Sequence, residues 1–267
     1  MQPSQAEFQR NVATDVAMQA GQLLREHFGT ALNVRHKGEI DLVTEADEAA
    51  ERLIVDELRR QFPLDGILAE EGGGGDVDRE RLWIIDPLDG TTNFAHGYPI
   101  FGVSIALEIA GELALGVVYQ PVLNELFTAV KGGGAFLNGA PIRVSATERL
   151  DASLLCSGFS YDRGETRAAL PLWARMVLSA QGVRRDGAAA LDLCYVAAGR
   201  FDGFWERPLQ AWDVAAGALI VVEAGGLVSD YEGNPHQTRG RQVVASNGRI
   251  HGQMLQIISS ERAENLV

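Results

Sequence analysis

The chain has 267 residues, which suits one large domain or two fused halves at roughly 100 to 200 residues per domain. Hydrophobic residues make up 46% and charged residues 22%, enough apolar material for a sizeable core and a balance that excludes a disordered chain. Acidic residues number 36 against 23 basic ones; the net charge of −13 suits neither general nucleic-acid binding nor attachment to an anionic membrane surface.

The stretch from Met1 to Glu7 carries neither a basic start nor an apolar run, so no signal peptide is read there. From about residue 5 to 28, Phe8, Val12, Val16, Leu23 and Leu24 fall close to one face at helical spacing and predict a surface helix. Thr44 with Asp47 three residues on forms a loose capping box. The helix it starts runs through Leu53, Ile54 and Leu58 and stops before Pro63. Residues 67–69 and 82–85 are short apolar runs and predict buried strands. Between them lies the flexible loop Gly72-Gly73-Gly74-Gly75-Asp76. Residues 103–109, 113–119 and 125–130 predict successive strands with turns at Gly111-Glu112 and at 121–124. Such a meander makes at least part of the sheet antiparallel.

Beyond about residue 150 the pattern alternates. Residues 153–156 predict a strand, and 165–180 a helix whose start Pro171 is placed to delay. Residues 188–198 predict a small-residue helix ended by Gly199, and 201–205 a strand. A buried apolar helix over 214–224 ends at Gly225-Gly226, and a strand over 243–245 precedes a last helix over 250–258. Cys156 and Cys194 sit in apolar runs and read as small buried hydrophobes of a reducing compartment. No stretch approaches the ~18 apolar residues of a membrane span, so a soluble, cytoplasmic protein without membrane partners is expected. The soft boundary separates a helix pair plus largely antiparallel sheet (1–150) from an α/β half (151–267), together one compact unit of layered helices and sheets.

The most informative segment runs from Trp83-Ile84-Ile85-Asp86 through Pro87-Leu88-Asp89-Gly90-Thr91-Thr92-Asn93-Phe94. An apolar strand ends in Asp86, Pro87 forces a turn, and Asp89 follows three residues later. Carboxylates converging on one point repel, so they share a proton or bind a cation, and hard oxygen ligands suit Mg²⁺, Mn²⁺ or Ca²⁺. Gly90-Thr91-Thr92-Asn93 reads as a helix start, where free N–H groups receive an anion and Gly admits a phosphate to the backbone. Cation ligands beside an anion cradle are the parts of metal-assisted phosphate chemistry. Glu70-Glu71 ends another apolar run; on an extended chain only one of the two faces a shared site. Asp213 stands just before a nearly all-apolar helix, anchored by Trp212. Each segment alone also fits a plainer role: a turn-capping Asp86 with solvated Asp89, a solvated acidic loop, and an N-cap.

Together these segments resemble the signature motifs of the inositol monophosphatase family, a branch of the lithium-sensitive, Mg²⁺-dependent phosphatases that include the fructose bisphosphatases. The match lies in the 86–94 segment, in Trp212-Asp213-Val214-Ala215-Ala216-Gly217 through Glu223-Ala224-Gly225-Gly226, in Asp41-Leu42-Val43-Thr44-Glu45-Ala46-Asp47 and in Glu70-Glu71, in the family's order and spacing. The resemblance implies an α+β fold, a layered αβαβα sandwich, and commonly a homodimer. It implies that Glu70, Asp86 and the backbone carbonyl of Leu88 hold a first Mg²⁺, that Asp86, Asp89 and Asp213 hold a second, and that Glu70 helps a third through water. Gly90 and Thr91 would meet the phosphate, Thr91 with Glu70 would orient the attacking water, and Asp47 would support Thr91. Lys37 would be a basic residue near the site, Glu206 would bond substrate hydroxyls, and Gly187, Ala188 and Ala189 would contact the polyol ring. Two departures stand out. The family usually has Ser or Thr where this chain has Ala188, and Lys37 lies one residue from the lysine position of some members, with His36 at the other register.

Four carboxylates bring about −4 and a phosphate monoester about −2 near neutral pH, so such a site repels its substrate unless cations are present. The expected activity is Mg²⁺-dependent hydrolysis of myo-inositol monophosphates by direct water attack. Sister specificities for histidinol phosphate, a sugar phosphate or a 3′-phosphorylated nucleotide are the nearest alternatives, followed by a catalytically silent regulatory protein on the same fold. A Ca²⁺-binding module has only Asp76-Val77-Asp78-Arg79-Glu80 to offer, which reads as a solvated loop.

Overall fold

The computed structural model describes residues 3–30, 34–36, 42–72, 75 and 77–264. The elements follow one another as α1 (Pro3–His27), β1 (Val34–His36), β2 (Leu42–Thr44), α2 (Glu45–Gln61), β3 (Gly66–Ala69), β4 (Arg81–Asp89), α3 (Thr91–Ala95), β5 (Gly102–Ile109), β6 (Glu112–Gln120), β7 (Glu125–Val130), β8 (Ala135–Leu137) and β9 (Ala140–Pro141). They continue as β10 (Leu154–Ser157), α4 (Arg163–Ser179), β11 (Gly182–Arg184), α5 (Ala189–Ala197), β12 (Gly203–Glu206), α6 (Ala211–Glu223), β13 (Leu227–Ser229), β14 (Val243–Ser246) and α7 (His251–Glu264). None of the helices among the described residues is long and apolar enough to cross a membrane.

Two large sheets carry the architecture. The first has seven strands in the order β3-β4-β5-β6-β7-β8-β9 and the second has five in the order β11-β10-β12-β14-β13. From β4 to β9 every pairing is antiparallel, the meander expected from the turn spacing, while β3 joins β4 in parallel. The second sheet is mixed: β10 pairs in parallel with β11 and β12, and β14 runs antiparallel to β12 and β13.

Side chains alternate across a strand, so a strand buried on both faces supplies two cores. In β4, Trp83 and Ile85 join the cluster under α1 and α2, while Leu82 and Ile84 join the cluster under α5 and α6. In β12, Phe204 faces α5 and α6 and Trp205 faces α4 and α7; in β14, Val243 and Ala245 divide from Val244 in the same way. Five layers result: helix pair, sheet, helix pair, sheet, helix pair. This is the expected α+β sandwich. The central layer is packed tightly because Gly217 lies against α5, where a Cβ would come within 2.6 Å of the Leu193 side chain.

Three local expectations are corrected. β4 does not end at Asp86 with a Pro turn; it continues to Asp89, and the register with β5 slips between Asp86 and Asp89. Its partner β3 stops at Ala69, so Pro87, which has no N–H, sits where the ladder is already interrupted. Helix α4 is not delayed by Pro171: the Asp162 side chain accepts from the Glu165 N–H at 2.8 Å and fixes the start upstream, leaving Pro171 inside the helix. Asp213 does not precede α6 but is its third residue, because the helix begins at Ala211. Both cysteines are free and buried.

Candidate active site

The site is built first by local geometry at the end of β4. Asp86 is buried on the strand, and its Oδ1 accepts the Leu88 N–H at 3.0 Å across the irregular stretch. Gly90 then adopts a left-handed φ of 92°, which only glycine takes up without strain, and one turn of helix, α3, follows. Any Cβ at Gly90 would stand 2.9 Å from the Ile100 carbonyl oxygen. The Thr91 hydroxyl lies 3.1 Å from Asp47 Oδ1 and 3.1 Å from the Leu88 carbonyl oxygen, two acceptors for its single proton. Asp47 is itself held by the capping box of α2, in which the Thr44 N–H donates to Oδ2 at 2.9 Å and the Thr44 hydroxyl donates to the same oxygen.

Distant elements complete it. Asp86 is paired with Ser104 across β4 and β5, and the Ser104 hydroxyl donates to the Trp212 carbonyl at 3.2 Å, which delivers the next residue, Asp213, to the same region. Asp213 Oδ2 accepts the Gln210 N–H at 2.7 Å. Asp89 accepts the Ala190 N–H at 2.8 Å and is also bonded by the backbones of Ala189 and Leu191, so it caps α5. The formal N-cap, Ala188, has no side chain able to do so. Gly187 has a φ of 84°, and Ala188 reaches within 3.3 Å of where a Cβ on Gly90 would be. The 187–189 loop therefore stands directly beside the turn that carries Gly90 and Thr91.

The electrostatics of the cluster are dominated by burial. Burial pushes the Asp86 carboxyl well up, aided by the charges of Glu70, Asp89 and Asp213 and by a hydrogen bond with Glu70. Burial likewise raises Asp213 well above its usual range and pushes Asp89 up to about 7, against the lowering effect of its backbone donors. Asp47 is raised by burial, opposed by its bonds to Thr44 and Thr91. Glu206, at the end of β12, is pushed up to about 8 by burial, with the Arg185 guanidinium pulling the other way.

A divalent cation fits this donor set by its chemistry. The donors are all oxygens, and their mutual repulsion is what a hard cation relieves. Among the described residues, no three acidic, His or Cys side chains stand gathered closely enough to hold an ion as they are, so the carboxylates do not form a closed cage.

Glu70, in the turn after β3 rather than on extended strand, acts by its charge on Asp47, Asp86, Asp89 and Asp213, whereas the Glu71 N–H donates to Glu51 at 2.7 Å. Lys37, like Asp41, lies outside the described residues. Three residues escaped the sequence reading of roles. The Asn93 amide donates to the carbonyls of both Ile100 and Asp186 at 2.7 Å and clips α3 to the 187–189 loop. Arg185, whose Nη1 lies 2.6 Å from where a Gly187 Cβ would be, stands over that loop. Asp192, fully enclosed on α5, has neither carboxyl oxygen hydrogen-bonded to another described residue, and burial pushes it well up. The Arg185-Asp186 pair beside a glycine was a signal in the sequence; Asp192, within an apolar helical run, gave none.

Comparison with known proteins supplies relatives over almost the whole chain. An inositol-1-monophosphatase from Synechocystis is 46% identical, with 97% of this chain and 91% of that one covered. A protein named Nus factor SuhB from Pseudomonas aeruginosa is 45% identical, with 93% and 95% covered. The solved inositol monophosphatase of Anabaena superposes with a TM-score of 0.87 at 43% identity, covering 95% of this chain and 96% of its own. Residues 5–263 match the inositol monophosphatase family as a whole, and the chain belongs to that family.

Proposed function

We propose that the protein is a Mg²⁺-dependent phosphomonoesterase that hydrolyses myo-inositol monophosphates. The observation that carries this reading is the convergence of Glu70, Asp86, Asp89 and Asp213 beside the Thr91–Asp47 hydrogen bond. Relatives named inositol-1-monophosphatase support the substrate. The name Nus factor SuhB belongs to the relatives that carry it.

Asp86, Asp89 and Asp213, with Glu70 and the Leu88 carbonyl, would hold two or three Mg²⁺. Bound there, Mg²⁺ supplies charge neutralisation for the phosphate, acidifies a coordinated water and stabilises the departing oxygen. The chain's own residues supply the orientation. The Thr91 hydroxyl donates its hydrogen bond to Asp47 or to the Leu88 carbonyl, which leaves its oxygen free to accept from water. A water donating to Thr91 and to Glu70 has its lone pair directed at phosphorus. The backbone of Gly90 and Thr91 receives phosphate oxygens at the start of α3. Glu206 accepts from hydroxyls of the polyol, Gly187, Ala188 and Ala189 form the wall against its ring, and the Ala188 methyl replaces a hydroxyl contact. Lys37 adds a positive charge to the approach, and two chains assemble as a homodimer.

The test is phosphate release from myo-inositol 1-phosphate, histidinol phosphate, a sugar phosphate and a 3′-phosphonucleotide, each with Mg²⁺ and with chelator. Turnover that survives chelation refutes the metal dependence. A preference for a phosphate without vicinal hydroxyls refutes the inositol assignment alone.

A further inference from the structure

Glu206 has two sides. One faces the carboxylate cluster through the charge of Asp89. The other forms the wall of a cavity of about 660 Å³ between α4, β12 and α7, lined by Phe159, Leu172, Trp173, Trp205 and Tyr231. The glycine that precedes Phe159 makes this possible: a Cβ at Gly158 would fall 2.2 Å from a Glu206 carboxyl oxygen, so only a bare backbone admits the carboxyl there. The volume is that of a small-molecule pocket, and aromatic walls with few polar groups are the usual lining of one.

The strand end and loop that line the cavity also reach the phosphate turn, where the Tyr161 hydroxyl lies 3.3 Å from Thr92 Oγ1. Trp173 and Phe159 meet at the cavity wall with ring centroids 5.9 Å apart.

We propose that this cavity is a second subsite for the alcohol part of the substrate, beyond the hydroxyls that meet Glu206, and that it takes a planar aromatic group. The proposal rests on the phosphomonoesterase reading. Phosphate binds beside Thr91, the ester oxygen leads past Glu206, and the ring lies among Phe159, Trp173 and Trp205. Polyol phosphates use the near part of the site and leave the cavity to water.

The test compares 4-methylumbelliferyl phosphate, an ester of a fused planar ring system, with phenyl phosphate and myo-inositol 1-phosphate, all with Mg²⁺. Burial of one more fused ring is expected to lower KM about tenfold relative to phenyl phosphate. Ala169→Phe, one helical turn from Trp173 on the cavity face of α4, should abolish that advantage. Trp173→Ala removes a ring from the cavity wall, and should raise the umbelliferyl KM about fivefold relative to that of inositol phosphate. Free 4-methylumbelliferone, titrated by fluorescence in chelator, gives a reading independent of catalysis, and its binding should weaken in both variants. Inositol phosphate turnover without any umbelliferyl advantage, or an advantage that persists in both variants, overturns the subsite and leaves the phosphatase standing. Failure to hydrolyse any of the three esters overturns both, even with umbelliferone bound.

Discussion

Glu206 offers a quantitative handle, because its burial carries a pH signature. Its carboxyl is raised from 4.5 to about 8 in the folded protein, so between those values the native state keeps a proton that the unfolded chain releases. The sign follows directly: the stabilisation is fully present below the unfolded value and is lost as pH rises through about 8. At 1.36 kcal/mol per unit, the loss between pH 5 and pH 9 is about 4 kcal/mol. Glu206→Gln keeps the shape against Gly158 and cannot ionise. In urea melts of the metal-free protein, the two should be nearly equal at pH 5 and the variant should lead by about 4 kcal/mol at pH 9. A stability difference that stays flat over this range refutes the claim that Glu206 is held as a buried, proton-binding acid.

The same variant separates recognition from chemistry: Glu206→Gln should raise KM for inositol monophosphates more than for phenyl phosphate, and equal losses on both would place its effect on folding or on the cation cluster. Asp86→Asn should lower kcat by several orders of magnitude while raising metal-free stability, since it removes one of four mutually repelling carboxylates; near-normal kcat at ordinary Mg²⁺ refutes the shared-ligand role. Mg²⁺ should raise the melting temperature of the wild type, and more weakly that of Asp213→Asn, as binding to the native state alone requires; an equal rise in both excludes Asp213 as a ligand. Ala188→Ser should tighten inositol phosphate by no more than about 1 kcal/mol, the worth of one neutral hydrogen bond, and a matching gain on phenyl phosphate would contradict a ring contact.

The local signals in the sequence were accurate where the structure is local. Thr44 and Asp47 stand three residues apart, so their reciprocal capping is readable as a motif, and the apolar runs of β4 to β7 follow from period and turn spacing. Pro87 reads as a strand terminator from its own ring, whereas the strand accommodates it where β3 has already ended and the register slips. Asp213 reads three residues out of place because an acidic residue in the first helical turn and an acidic N-cap look alike in sequence. The clip from Asn93 to Asp186 and the contact from Ser104 to Trp212 join residues roughly a hundred positions apart, and no periodicity encodes them. The carboxylate types were therefore legible, while the means of bringing them together was not. The cavity beside Glu206 belongs to the same class, since three separate elements enclose it.

The cap that Asp89 places on α5 joins residues 101 positions apart in the chain. Closing so long a loop costs entropy before any contact rewards it, and the reward includes the backbone donors that this buried carboxylate requires. A fragment ending near residue 150 would keep Asp89 and lose those donors, along with the side of its sheet that Ala190, Leu193 and Val214 cover. The two halves thus share this cap and this packed face, and the site geometry is complete only with α5 docked. Ligand affinity and global cooperativity then report on one event, and a chain cut or permuted between the sheets should lose both together.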